Sequence, residues 1–157
     1  MTHDEFRRQY EAYEWDPYQP LAVVLANGTR TYIDKPEQMT PGNDELIITR
    51  WQNPRKPERY RYADIAQLIP LLQMPADPDG MSYAEFNDRM SELLVADPFV
   101  PFVIELKNGE RVELDARRGT TRAGRFIRVW DGVGQPVGIN FDQVARLSRK
   151  TLSPAGR

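Results

Sequence analysis

Apolar and polar residues follow two periods along this chain, and each period occurs twice. Phe6, Tyr10 and Tyr13 fall at helical spacing on one face of a segment that opens with Thr2-x-x-Glu5. Phe86, Met90, Leu93 and Leu94 do the same after Ser82-x-x-Glu85. Both openings fit the capping box, in which hydroxyl and carboxylate each satisfy a backbone N–H that the first helical turn leaves orphaned. Asp16-Pro17 and Asp97-Pro98 then stop the helices, because a residue before proline is pushed out of the α region.

Beyond these stops the period shortens to two. Phe102, Ile104 and Leu106 alternate with Val103, Glu105 and Lys107, which predicts a strand buried mainly on one face. The matching set Ala22, Val24 and Ala26 belongs to a strand that is apolar on both faces and calls for a second cover. Asn27-Gly28 and Asn108-Gly109 predict hairpins of type I′, which need positive φ at both central positions. Further short strands are expected over 30–34, 46–51, 59–62 and 65–69, and over 111–115, 126–130, 137–141 and 144–147. A turn over 131–136 separates the third and fourth strands of the later set.

The doubling is a sequence repeat. Residues 16–34 read DPYQPLAVVLANGTRTYID and residues 97–115 read DPFVPFVIELKNGERVELD, a constant offset of 81. Eight of the 19 positions are identical: Asp16/Asp97, Pro17/Pro98, Pro20/Pro101, Leu25/Leu106, Asn27/Asn108, Gly28/Gly109, Arg30/Arg111 and Asp34/Asp115. Ordinary composition gives about one such match by chance. Residues 70–80 (PLLQMPADPDG) carry three prolines and a glycine and no period, and read as a linker. The expected organisation is a first repeat over 1–69, the linker over 70–80, a second repeat over 81–150 and a tail over 151–157. Each repeat is near the lower size limit for an independent core, so the two copies are expected to pack as an intramolecular pseudo-dimer. The expected fold class is α+β: two tandem copies of an N-terminal helix and about five short antiparallel strands, in a bent sheet or small barrel.

The helix, the Asn-Gly hairpin after the first strand and the short turn before the last strand together resemble the Sm-like fold of the Sm proteins and the bacterial Sm-like RNA chaperone. The chain departs from that family at Ile33 and Leu114, where a second glycine is usual. It departs again at Arg61-Tyr62 and Asn140-Phe141, where the bacterial branch has a Lys-His motif. Pro98-Phe99-Val100-Pro101-Phe102 followed by Asn108-Gly109 is similar to a pattern in short uncharacterised bacterial proteins common in planctomycetes. That resemblance implies a module boundary and no activity.

Composition narrows the chemistry. Twenty-one basic and 23 acidic residues leave a net charge of −2, which excludes a generally basic nucleic-acid protein but not a local basic patch. The absence of cysteine removes disulfides, thiolate metal sites and a Cys nucleophile. No apolar run has membrane-spanning length and the start lacks a signal-peptide core, so a cytoplasmic address is expected. His3 is the single histidine and reads as a surface residue in the first helical turn, so no metal site and no Ser-His-Asp arrangement is expected. The repeated carboxylates Glu5/Glu85, Asp16/Asp97 and Asp34/Asp115 each have a capping or turn role. No cofactor is implied, since Gly132-Val133-Gly134 opens no helix and makes no phosphate loop, and no small-molecule substrate is evident.

Two basic stretches with aromatic neighbours remain. Residues 50–61 hold Arg50, Arg55, Lys56, Arg59 and Arg61 against Glu58, beside Trp51, Tyr60 and Tyr62. Residues 111–128 hold Arg111, Arg117, Arg118, Arg122, Arg125 and Arg128 against Glu113 and Asp115, beside Phe126 and Trp130. The candidate binding surface is Arg50, Trp51, Arg59, Arg61, Arg117, Arg118, Arg122, Arg125, Arg128 and Trp130. The expected function is a non-enzymatic binding or assembly module that engages a protein partner or a second copy through strand edges and these faces. Single-stranded RNA or DNA, held by phosphate charge and base stacking, is the alternative partner.

Overall fold

The structure, a computed structural model, describes residues 1–13, 19–115, 120–130 and 136–150. The expected helix stop at Asp16-Pro17, the candidates Arg117 and Arg118, the turn over 131–135 and the tail over 151–157 lie outside the described residues. The fold is α+β. The described residues form two α-helices and four small antiparallel sheets of three strands each, divided between two compact units, Met1–Met74 and Pro75–Arg157. No helix among them is long and apolar enough to cross a membrane.

In the first unit, helix α1 (His3–Tyr13) is capped as its sequence demands: Thr2 N donates to Glu5 Oε2 at 2.8 Å and Glu5 N donates to Thr2 Oγ1 at 3.2 Å. The strands are β1 (Leu21–Leu25), β2 (Arg30–Ile33), β3 (Met39–Pro41), β4 (Glu45–Ile48), β5 (Glu58–Arg61) and β6 (Ile65–Pro70). They form the sheets β2-β1-β6 and β3-β4-β5. Phe6 and Tyr10 of α1 are buried in one core with Leu21, Val23 and Ile33 of the first sheet and Leu46 and Ile48 of the second. Ala22 and Tyr32, on the opposite face of the first sheet, are buried too, as the two-sided apolar pattern of β1 requires.

The second unit carries α2 (Tyr83–Val95), with Ser82 Oγ accepting from Glu85 N at 3.1 Å. Its strands are β7 (Phe102–Leu106), β8 (Arg111–Leu114), β9 (Thr121–Ala123), β10 (Phe126–Trp130), β11 (Pro136–Asn140) and β12 (Val144–Arg149), in sheets β8-β7-β12 and β9-β10-β11. Phe141 anchors α2: its ring meets Tyr83 edge-on at 5.2 Å and Phe86 at 6.2 Å between centroids. Val103 is buried alongside Phe102 and Ile104, so β7 is covered on both faces there and not mainly on one.

Three expectations change. Among the described residues each unit shows six strands where about five were expected, because β3 and β9 are three-residue strands (Met-Thr-Pro and Thr-Arg-Ala) too short to display a period. None of the four sheets closes, so neither unit is a single bent sheet or a closed barrel by its pairing. The Asn-Gly hairpins are three-residue loops: Leu25 N donates to Thr29 O and Leu106 N to Glu110 O, each at 2.8 Å. Gly28 (φ 87°) and Gly109 (φ 91°) have positive φ, but no described non-glycine residue does, which excludes type I′. Asn27 instead accepts from Thr29 N through its side chain, and Asn108 from Glu110 N, an arrangement that favours a type I turn closed by the glycine.

The Pro-rich stretch over 70–80 is anchored at both ends. Pro70 belongs to β6, Leu71 N donates to Pro20 O at 2.9 Å, and Leu71 and Met74 are buried. On the other side Asp77 is ion-paired to Lys107 Nζ at 2.8 Å. Gly80 lies so close to Lys107 that a Cβ there would sit 2.7 Å from its Cε.

Candidate functional site

The basic residues singled out by the sequence divide into two groups once their partners are known. Arg50 lies just beyond the end of β4 and is 15% exposed. It donates from Nη1 to Asp34 Oδ2 at 3.1 Å, from Nε to Glu58 Oε2 at 2.7 Å and from Nη2 to Thr31 Oγ1 at 2.9 Å. Thr31 Oγ1 donates to Glu58 Oε1 at 3.1 Å, and Tyr60 OH donates to the same oxygen at 2.6 Å. This network joins β2, β4 and β5. Arg50 is thus a cross-link inside the first unit, with its guanidinium turned to protein acceptors. Arg59 is paired to Glu45 across the β4–β5 ladder.

Burial works to raise the Glu58 carboxyl, and the Arg50 guanidinium with the Tyr60 and Thr31 hydroxyls more than reverses it, so Glu58 titrates below its ordinary value of 4.5. Burial first, and the Glu58 carboxylate second, raise the Tyr60 phenol. Because the folded state holds Glu58 below its unfolded pKa, the stability it supplies is complete above about pH 4.5 and is lost as pH falls through the folded value. Glu58→Gln is therefore expected to flatten the acid limb of a melting-temperature profile. A variant profile that falls in parallel with the parent would contradict this assignment.

Arg122 and Arg125 are also turned inward. Arg122 bonds the side chain of Asn87 and Ser91 Oγ (3.1 Å) on α2, and its guanidinium lies 5.7 Å from the Phe86 ring centroid. Arg125 is 6% exposed, donates to Asn140 Oδ1 at 3.2 Å and stacks over Phe126 at 4.2 Å. Both hold β9–β11 to their surroundings, Arg125 buried and Arg122 partly buried.

What remains on the surface is smaller and sharper. Trp51 is 73% exposed at the start of the β4–β5 connection, and Trp130 is 51% exposed at the end of β10. Trp51 lines a shallow depression of about 530 Å³ with Lys35, Glu37 and Pro54. Arg55 and Lys56 follow in the same turn, where Lys56 N donates to Asn53 O at 3.2 Å. Lys35, Arg55 and Lys56 are exposed, as is Arg61 on β5. Arg128 is exposed on β10, in the same outward row as Trp130 and the half-buried Phe126. Of the residues named from the sequence, Trp51, Trp130, Arg61 and Arg128 are exposed; Lys35, exposed beside Trp51, was not among them, and its only sequence signal is a charge next to Pro36.

The repeated carboxylates are placed as well. Glu5 closes the α1 cap, Asp34 is bound by Arg50, Asp115 by Lys150 Nζ at 3.2 Å, and Asp97 is exposed. No three His, Cys, Asp or Glu side chains among the described residues gather as a metal site. His3 is partly buried, with its ring 5.3 Å from that of Tyr62. Comparison with family models, with curated proteins and with solved structures finds no match to this chain.

Proposed function

We propose that the chain is a tandem duplication of one small helix-plus-β module, Sm-like or SH3-like in strand order, that works without catalysis by binding a protein partner. Corresponding pairings support the duplication. β1–β6 and β7–β12 have the same register, Leu21 opposite Pro70 and Phe102 opposite Arg149, and each ladder shifts at its far end. β4–β5 pairs Glu45 with Arg61 where β10–β11 pairs Phe126 with Asn140, and Tyr62 N and Phe141 N each donate back to the residue before the middle strand.

The observation that carries the binding reading is an exposed tryptophan near the far end of the middle strand of each small sheet: Trp130 is the last residue of β10, and Trp51 lies three residues past the end of β4. Large aromatics with one free face and adjacent unpaired cations are typical anchors of protein interfaces. Open three-stranded sheets also leave edges to which an extended segment can add. A second reading, single-stranded nucleic acid, rests on the Trp51 corner, where Lys35 lines the same depression as the indole and the exposed Arg55 and Lys56 follow in the same connection.

Capture of partners by the full chain tests the proposal. Trp51→Ala and Trp130→Ala are each expected to weaken a stable protein complex by about tenfold or more, with unchanged far-UV dichroism and melting temperature. Retention of the complex by the double variant would overturn the reading. Anisotropy with labelled single-stranded RNA that rises at low salt and collapses with added salt would transfer the site to nucleic acid.

A further inference from the structure

Gly138 sits in the middle of β11, and nothing among the described residues requires a glycine there. Its φ is not positive, the β10–β11 register runs without interruption from Phe126–Asn140 to Trp130–Pro136, and a Cβ built on it meets no atom within 4 Å. Glycine in a strand interior weakens the strand relative to a β-branched residue. A strand glycine free of bulge, bend and internal crowding is the pattern expected where another backbone or ligand approaches closely.

The surroundings specify what approaches. Directly opposite residues share a face, so Gly138 lies beside Arg128, between the Trp130–Pro136 and Phe126–Asn140 pairs. On the other face Ile127, Val129 and Ile139 are buried, so Gly138 belongs to the outward side. Trp130 lies four residue steps along β10 from Phe126, a floor about 13 Å long, with one cation at its middle. Arg128 is the cation of this outward face, since Arg122 is engaged by α2 and Arg125 by Asn140. The exposed Arg128 side chain makes no ion pair or hydrogen bond with any described residue. One face of Phe126 is taken by Arg125, which leaves Trp130 as the stacking surface.

We propose that the outward face of β10–β11 is the seat of an extended, acidic segment of a partner protein. The segment lays an aromatic or proline ring on the Gly138 floor against Trp130 and a carboxylate, two residues along, on Arg128. The spacing fits, because residues i and i+2 of an extended peptide lie on one side about 6.7 Å apart, as Arg128 and Trp130 do on β10. A polyanion is the poorer occupant: one stacking ring and one free cation offer little to a run of bases and phosphates, and the chain as a whole is net negative at −2. This inference rests on the protein-binding reading above and names the chemistry of its second-unit site.

Fluorescence anisotropy with three labelled probes tests it on the full chain: a decapeptide alternating Ser with Phe and Glu so that Phe-Ser-Glu recurs, the same peptide with Lys for Glu, and a ten-nucleotide oligouridylate. Binding is expected for the Glu peptide alone. Gly138→Val should weaken it about tenfold or more while leaving the melting temperature unchanged or higher, and Arg128→Glu should do the same. Binding of the Glu peptide that Gly138→Val leaves intact, but Trp130→Ala removes, would overturn the glycine floor and leave the protein-binding reading standing. A lower melting temperature for both Gly138→Val and Gly138→Ala would overturn it too, by showing that the glycine serves the fold. Failure of the Glu peptide to bind, or preference for the oligouridylate, would overturn the assigned ligand class.

Discussion

Phe86→Ala is expected to destabilise the second unit by about 3–5 kcal/mol, the usual range for deleting a fully buried aromatic ring. Phe86 has no exposed surface, packs on Phe141, and receives the Arg122 guanidinium over its face. Its removal therefore unseats α2, Phe141 and the side chain that holds β9. A small unit without disulfide or metal rarely has more than about 3–5 kcal/mol in total, so most of that margin disappears. Native-state hydrogen exchange reads the result: the amides of Ile104 and Leu147, inside the β7–β12 ladder, should lose most of their protection. Full protection in a variant of native secondary structure would show that α2 contributes little to the core.

Arg50→Ala is expected to cost the first unit about 3 kcal/mol, because it leaves two carboxylates close together and partly desolvated without their cation. Asp34 has a side chain 16% exposed, and Glu58 would keep only its hydroxyl donors. Chemical denaturation should show a lower midpoint at unchanged slope. The triple change that adds Asp34→Asn and Glu58→Gln should recover a large part of the loss, since neutral amides no longer repel. If the single variant is as stable as the parent, the network is decoration on a fold held by its apolar core.

These two residues also mark the boundary of what the sequence discloses. Phe86 was legible: helical spacing, a capping box and an apolar face are local signals, and both helices and most strands follow from them. Arg50 was not. Its partners Asp34 and Glu58 are separated from it by 16 and eight positions, and an unpaired arginine and a cross-linking one look alike in a string of letters. Arg122 and Arg125 disguised themselves in the same way, being drawn inward by Asn87, Ser91 and Asn140. β3 and β9 escaped because three residues cannot establish an alternation, and the hairpin type escaped because Asn27 and Asn108 use their side chains where a type I′ turn would use positive φ. Trp51 and Trp130 were legible for a different reason: a large aromatic placed among turn residues or in an outward strand position has nothing local to bury it. Gly138 carried no sequence signal, since its meaning depends on an unbroken ladder and on the open space above it.

In the proposed function, a partner is engaged by the tryptophan-bearing ends of the two small sheets. Hydrogen exchange by mass spectrometry, on the full chain alone and with its captured partner, tests that most directly. New protection is expected to be confined to the β4–β5 connection and β5 in the first unit and to β10 and β11 in the second, with β1, β7 and the helices unchanged. Protection that falls on α1, α2 or the β1–β2 and β7–β8 hairpins, and spares both tryptophans, would contradict it.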